Sequence, residues 1–207
     1  MNLESINRVH FIGIGGIGMS ALAKFFLYKG VAVSGYDRSK TEITLALSNL
    51  ESQIIYDDEI SLIKDIESVD LVVYTPAISS DNIQLNHFKK TDIPIHKRAY
   101  VLGEITKSYQ TLAVAGTHGK TTTSSIVAHL LQQNNCGGVS FIGGICTNYN
   151  SNILLQEGQN AVVEADEYDR SFMQLHPNAI ILTSMDPDHL DIYLSLIHIS
   201  EPTRLPG

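Results

Sequence analysis

Lys120 and Thr121 are the residues of this 207-residue chain best placed to handle a phosphate. They stand in Gly116-Thr117-His118-Gly119-Lys120-Thr121-Thr122-Thr123, after an apolar run of strand length and at the start of a helix-length one. A lysine there can reach the β- and γ-phosphates of a nucleotide. The Thr121 hydroxyl can enter a Mg²⁺ shell, and the loop N–H groups can wrap the phosphate oxygens. The strict GxxxxGK[ST] spacing fails, because Val114 stands five residues before Gly119, so the loop is a compact variant. An ordinary helix-start turn is the weaker reading, since Gly-Lys-Thr-Thr at a strand-to-helix junction is uncommon.

A second glycine loop lies nearer the N-terminus. Gly13-Ile14-Gly15-Gly16-Ile17-Gly18 is a GxGxxG run between a strand-like and a helix-like segment, with Met19 directly after it. Glycine serves three purposes in such a loop: a tight turn, close approach of backbone to a diphosphate, and close packing of helix on strand. Asp37 ends the next strand, where a ribose-binding acid sits in a dinucleotide fold. Alone, the loop reads as an NAD site or as a packing turn, and it does not identify the diphosphate. The Lys120-Thr121 loop weakens the dehydrogenase reading, because hydride transfer needs no triphosphate cradle. Two phosphate loops together point to one diphosphate-bearing substrate plus ATP.

Carboxylates follow two later strands. Glu164, Asp166 and Glu167 come just after the apolar Ala161–Val163 run, with Glu164 and Asp166 on one side of an extended chain. Asp186-Pro187-Asp188-His189-Leu190-Asp191 follows Ala179–Leu182. A strand-end carboxylate beside a phosphate loop completes a Mg²⁺ site with few protein ligands, leaving room for water and phosphate oxygens. A solvated acidic loop would explain either cluster alone. Two clusters after successive strands, downstream of the lysine loop, favour metal and phosphoryl chemistry. His10, His87, His129 and His198 lack such company and read as core or surface residues.

The elements that must position these groups alternate strand with helix. Strands are expected at Arg8–Gly13, Val31–Tyr36, Gln53–Tyr56, Asp70–Tyr74, Ile93–His96, Thr111–Ala115, Ala161–Glu164 and Ala179–Leu182. Helices are expected at Ile17–Lys29, 58–67, 82–90, 98–107 and Lys120–Asn134. This pattern is α/β: a Rossmann-like parallel-sheet domain over residues 1–108, then an incomplete P-loop-type α/β domain over 109–194. The boundary follows the polar break Thr106–Lys107–Ser108. Residues 195–207, with two prolines where a helix would be due, read as a tail foreign to the fold or as a frayed terminus.

Composition limits the partners. The formal charge is −8, with 43% apolar and 17% charged residues. Such a chain buries a core, and its acidity argues against a duplex nucleic-acid surface. No secretory signal or bilayer-length apolar run is present, so a soluble cytoplasmic protein without membrane contact is expected. Cys136 and Cys146 form no CxxC pair.

Together the motifs resemble the Mur ligases. GIGGIGMS at 13–20, SGYD at 34–37, TPAI at 75–78, AGTHGKTTT at 115–123, VEADEYDRSF at 163–172 and DPDHLDIY at 186–193 fall in that family's order. The likeness covers about residues 7–193, and the GIGGIGM loop has the form of the alanine-adding branch rather than the tripeptide-recycling one. The resemblance implies ATP-dependent joining of L-alanine to the lactyl carboxylate of UDP-N-acetylmuramate through an acyl phosphate, in peptidoglycan synthesis. It implies that Gly13, Gly15, Gly16, Ile17, Gly18, Met19, Asp37, Thr75 and Pro76 hold the UDP-sugar. Gly116, Thr117, His118, Gly119, Lys120, Thr121 and Thr122 would hold ATP. Lys120 and His189 would be catalytic, and Thr121, Glu164 and His189 would hold Mg²⁺. Ser184 stands where many relatives carry Asn. Because the family's central domain continues past Tyr193 and a third domain follows, the chain as given is expected not to ligate. It could still bind the UDP-sugar. A UDP-sugar-binding module without catalysis and a tripeptide ligase are the alternatives.

Overall fold

The computed structural model describes residues 1–166 and 168–186. The chain divides into two compact units, Met1–Val101 and from Leu102 onward. The division falls a few residues ahead of the Thr106–Ser108 break.

The first unit is built on a five-stranded parallel sheet of β1 (Arg8–Ile12), β2 (Ala32–Tyr36), β3 (Gln53–Ile55), β4 (Leu71–Tyr74) and β5 (Ile95–Lys97), in the order β3-β2-β1-β4-β5. Helix α1 (Ile17–Tyr28) follows β1, α2 (Glu42–Asn49) follows β2, and α3 (Ile83–Phe88) precedes β5. Helix α4 (Arg98–Thr106) starts directly after β5 and carries the chain across the division. Strand order reverses between β1 and β4, so the loops after these strands flank the crevice where doubly wound sheets hold ligands. Apolar strand residues fill both sides of the sheet. Phe11, Leu22 and Phe26 are fully buried, and Ile12, Val72, Leu85 and Phe88 form a second cluster.

Two local differences from the sequence reading have clear causes. The helix expected over 58–67 is two short 3-10 turns, Ile60–Leu62 and Ile66–Ser68. Asp65 between them adopts φ +51°, a left-handed conformation that an α-helix cannot pass through. Helix α2 was not expected. Its start is a capping box in which Thr41 Oγ1 accepts from the Thr44 N–H and Thr44 Oγ1 accepts from the Thr41 N–H. Threonine replaces the usual Glu or Gln of that motif. Replacing Thr41 with Ala is expected to cost about 1 kcal/mol, read as a lower urea midpoint at unchanged m. A midpoint equal to wild type would show that the box contributes nothing.

The second unit has five strands in the order β10-β6-β9-β7-β8: β6 (Gln110–Ala115), β7 (Gly138–Cys146), β8 (Ser151–Leu155), β9 (Asn160–Glu164) and β10 (Ala179–Leu182). Helix α5 (Lys120–Gln133) follows β6. Strands β10, β6, β9 and β7 are parallel, whereas β7 and β8 pair antiparallel with a register shift between Phe141 and Cys146. Neither strand of this hairpin was expected from the sequence. Gly138, Gly143 and Gly144 dilute the apolar pattern of β7, because glycine is a poor strand former. Ala128 of α5 packs on Ile142 and Leu154 of the hairpin. Strand β10 lies at the margin of the sheet, with Ile180 63% and Leu182 55% exposed. Among the described residues no helix is long and apolar enough to cross a membrane.

Candidate functional site

In the second unit, three neighbouring strands end at one edge. Register pairs Val114 with Glu164 and Ala115 with Leu182, so the segments after β6, β9 and β10 leave the sheet side by side. The segment after β6 is the lysine loop. Gly116 has φ +125° and Gly119 has φ +82°, conformations that side chains resist. A Cβ on Gly116 would also collide with the Thr183 hydroxyl and the Ser184 backbone.

Gly119 is the N-cap of α5, and Lys120, Thr121 and Thr122 form its first turn. The first amides of a helix have no intrahelical partner, and the helix dipole makes that end attractive to anions. Lys120 folds over the loop, its Nζ donating to the Gly116 carbonyl at 2.7 Å. The ammonium therefore lies above the same backbone that would wrap a phosphate.

The segment after β10 clamps this loop. The Thr183 N–H donates to Ala115 O at 2.9 Å, and its hydroxyl reaches Ala115 O at 3.1 Å and His118 O. The His118 N–H donates to Ser184 Oγ at 2.9 Å, so the serine hydroxyl satisfies this amide. Thr117 Oγ1 lies 3.0 Å from both the N–H and the carbonyl of Asp186. The start of the Asp186–Asp191 cluster thus sits beside the lysine loop. His189, expected as a catalytic and metal-binding residue, lies outside the described residues, as does Glu167.

Glu164 faces the first turn of α5. Its Oε2 accepts from Thr121 Oγ1 at 3.1 Å, and its Oε1 accepts from the Gly143 N–H at 2.7 Å and from Ser124 Oγ at 2.8 Å. The structure therefore brings together two of the three expected metal ligands, Thr121 and Glu164. Their 3.1 Å separation matches two adjacent ligands of a Mg²⁺ octahedron, about 3.0 Å apart for bonds of roughly 2.1 Å. Among the described residues no group of three or more His, Cys, Asp and Glu gathers. A cation here would need phosphate oxygens and water to complete its shell, which suits Mg²⁺ carried with a nucleotide.

Ser124 and Gly143 were missed in the sequence. The available signal for Ser124 was helical spacing, since positions 121 and 124 share a face.

The first unit carries the other loop. Gly13 has φ +89° and donates to Tyr36 O at 2.8 Å. A Cβ on Gly13 would stand 2.5 Å from Thr75 Cγ2, which shows how closely the loops after β1 and β4 approach. Gly16 is the N-cap of α1, and Ile17, Gly18 and Met19 form its first turn. Met19 is 2% exposed, so its side chain belongs to the core. Thr75 is half-buried and Pro76 exposed.

Asp37, expected among the UDP-sugar-binding residues, lies against the glycine loop. Its Oδ2 accepts from the Gly15 N–H at 2.8 Å and its Oδ1 from the Ser39 N–H at 3.0 Å. The carboxylate thus shapes the glycine loop from within. Tyr36 beside it has its phenol pushed up by burial, and then by the nearby Asp58 and Asp37 carboxylates. A cation beside the glycine loop is Arg98, which sequence reasoning missed. A Cβ on Gly18 would stand 2.9 Å from Arg98 Cδ and 3.0 Å from Nη1. A guanidinium beside a helix N-terminus is unfavourable unless an anion joins them. The sheet topology, not any local sequence signal, brings Arg98 there.

Comparisons with known proteins show what the chain resembles. Residues 8–110 match the profile "Mur ligase family, catalytic domain", and residues 114–202 match "Mur ligase middle domain". The UDP-N-acetylmuramate–L-alanine ligase of Flavobacterium johnsoniae is 51% identical over 195 residues, covering 93% of this chain and 43% of that protein. That of Flavobacterium psychrophilum is 52% identical over 196 residues, covering 93% and 44%. Among solved structures, the UDP-N-acetylmuramate–alanine ligase of Thermotoga maritima superposes with TM-score 0.81 at 34% identity, covering 91% of this chain and 44% of that one. A UDP-N-acetylmuramate:L-alanyl-γ-D-glutamyl-meso-diaminopimelate ligase from Neisseria superposes with TM-score 0.83 at 26% identity, covering 94% and 65%. The chain thus spans less than half the length of the curated relatives it matches.

Proposed function

The chain belongs to the Mur ligase family, and from that premise we propose that it forms the UDP-sugar-binding unit and the nucleotide-binding unit of a UDP-N-acetylmuramate–L-alanine ligase. The observation that carries this reading is the convergence of Lys120, Thr121 and Glu164 after adjacent strands, in a chain that also holds a GxGxxG loop. An ATP cradle and a separate diphosphate loop suit a reaction that activates a nucleotide-sugar with ATP.

The residues have the following parts in that reaction. The UDP diphosphate lies at the α1 N-terminus, on the amides of Gly16, Ile17, Gly18 and Met19, beside Arg98. Gly13, Thr75 and Pro76 line the crevice opposite. Asp37 holds the Gly15 amide and thereby fixes the loop. ATP lies over Gly116, Thr117, His118 and Gly119 at the α5 N-terminus, with Thr122 in that first turn.

A lactyl carboxylate oxygen attacks the γ-phosphorus of ATP, ADP leaves, and an acyl phosphate forms. The L-alanine amine then attacks the acyl carbon. The tetrahedral intermediate expels inorganic phosphate, and the amine gives up a proton. Lys120 meets the charge that develops on the transferring phosphoryl group. Thr121 and Glu164 would hold Mg²⁺, which supplies charge neutralisation on the phosphate oxygens; His189 is proposed as a further ligand. ATP and the UDP-sugar are both nucleotides of the cytoplasm, which is where the proposed reaction belongs.

The test is ligand-induced stabilisation of the 207-residue chain. UDP-N-acetylmuramate at a hundredfold excess over its Kd is expected to stabilise the chain by about 2.7 kcal/mol, seen as a raised Tm. NADH at the same concentration should leave Tm unchanged. A shift with NADH and none with UDP-N-acetylmuramate would overturn the reading.

A further inference from the structure

Glu164 is oriented by a side chain that touches neither phosphate nor metal in the reading above. Ser124 is fully buried on α5, one turn beyond Lys120. Its hydroxyl has one proton and three acceptors in reach: Lys120 O at 2.9 Å, Thr121 O at 3.2 Å and Glu164 Oε1 at 2.8 Å. The carboxylate is the closest and the charged one, so it takes the proton. With the Gly143 N–H at 2.7 Å, Oε1 then has two donors, whereas Oε2 has the Thr121 hydroxyl.

The two oxygens are therefore unequal. Oε1 is tied to the protein, and Oε2 is turned toward Thr121. The neighbouring backbone makes the arrangement specific, because a Cβ on Gly143 would collide with the Glu164 carboxylate. A buried alanine would suit the helix interior better than serine, and Ala128 does occupy the equivalent position one turn on. The serine hydroxyl has its use in holding the carboxylate.

We propose that Ser124 is a positioning residue for divalent-cation binding: it fixes Glu164 so that Oε2 and the Thr121 hydroxyl form a preset pair of oxygen ligands. This rests on the nucleotide-binding reading of the second unit. Without Ser124 the carboxylate keeps one donor on Oε1 and can rotate, so the cation meets a ligand that must first be ordered. Loss of an outer contact of this kind weakens metal affinity by roughly 10- to 100-fold.

The experiment measures Mn²⁺ binding to the 207-residue chain with ATP present, by the enhanced water-proton relaxation of protein-bound Mn²⁺ against a protein-free Mn²⁺–ATP control. ATP binding in excess EDTA is measured in parallel by calorimetry. For Ser124→Ala, the Mn²⁺ dissociation constant is expected to rise about tenfold, with ATP affinity in EDTA and Tm near wild type. Ser124→Cys, which keeps a weak donor, should fall between. A Mn²⁺ titration unchanged in Ser124→Ala overturns the proposal. So does a change in which ATP affinity in EDTA and Tm fall together while the Mn²⁺ constant stays fixed, which is the pattern of a purely structural role. Should Ser124→Ala fail to fold, Ser124→Cys, which weakens the same donor, is held to the same criteria. Wild-type chain that binds neither ATP nor Mn²⁺ with ATP overturns the nucleotide-binding reading itself, and is distinguished by failing before any variant is compared.

Discussion

Replacing Lys120 with Ala is expected to weaken ATP binding to this chain by roughly 100-fold, about 3 kcal/mol. The side chain already folds across its own loop, with Nζ 2.7 Å from the Gly116 carbonyl. A phosphate on the Gly116–Gly119 backbone would meet the ammonium with little further ordering, so most of the charge-assisted hydrogen bond would appear as affinity. Lys120→Arg should not restore it, because a planar fork cannot occupy the place of a compact ammonium over so tight a turn. Calorimetric titration with ATP and Mg²⁺ reads the effect directly. Binding by Lys120→Ala within threefold of wild type would mean that the loop amides alone hold the phosphates. The transferring phosphoryl group would then have no cation from this helix.

Acidification should remove about 3 kcal/mol of stability through a single histidine of the first unit. His10, in β1, is fully buried. Its Nε2 faces Gln84 Oε1 at 2.9 Å and its Nδ1 faces Ser34 Oγ at 2.8 Å. The Gln84 amide nitrogen reaches the Asp57 and Glu59 carbonyls at 3.4 Å, which turns Oε1 toward the ring. Nε2 therefore carries the proton, and Nδ1 accepts from the serine.

Burial lowers the imidazole pKa to about 4 from its ordinary 6.5, with the Gln84 hydrogen bond opposing in part. The unfolded chain takes up a proton as pH falls through 6.5, and the folded chain does so only near 4. Stability from this site is thus complete above 6.5, declines between 6.5 and 4, and is level below. The difference in unfolding free energy between wild type and His10→Asn should change across that window by the stated amount. The wild-type imidazole should titrate by NMR near 4. Equal pH slopes in the two proteins, or a ring titrating above 6, would refute the assignment.

Legibility in the sequence followed locality. The strands that precede both glycine loops and the helices that follow them could be read, because each combines an apolar run with a glycine that a close approach requires: Gly13 against Thr75, Gly116 against Thr183. The α/β class followed from the same alternation. The β7–β8 hairpin was not legible, because the glycines of β7 interrupt the apolar pattern. Helix α2 was hidden by a threonine-only capping box. In the site, Lys120, Thr121 and Glu164 could be named from residue type and order. Ser124, Gly143 and Arg98 could not, because each acquires its role from a partner at least 21 residues away in sequence, Glu164 for Ser124 and Gly143 and Gly18 for Arg98. Asp37 could be named from its position, and its carboxylate accepts from the Gly15 amide.

The placement of β10 has a consequence of its own. A marginal strand with Ile180 and Leu182 in solvent offers a second backbone both an open hydrogen-bonding row and apolar side chains to pack on, among the described residues. A segment or partner that paired with that margin would also guard against self-association. A preparation in which it stays bare would be governed by concentration and time, with soluble lifetime set by encounters between copies rather than by the stability of either unit.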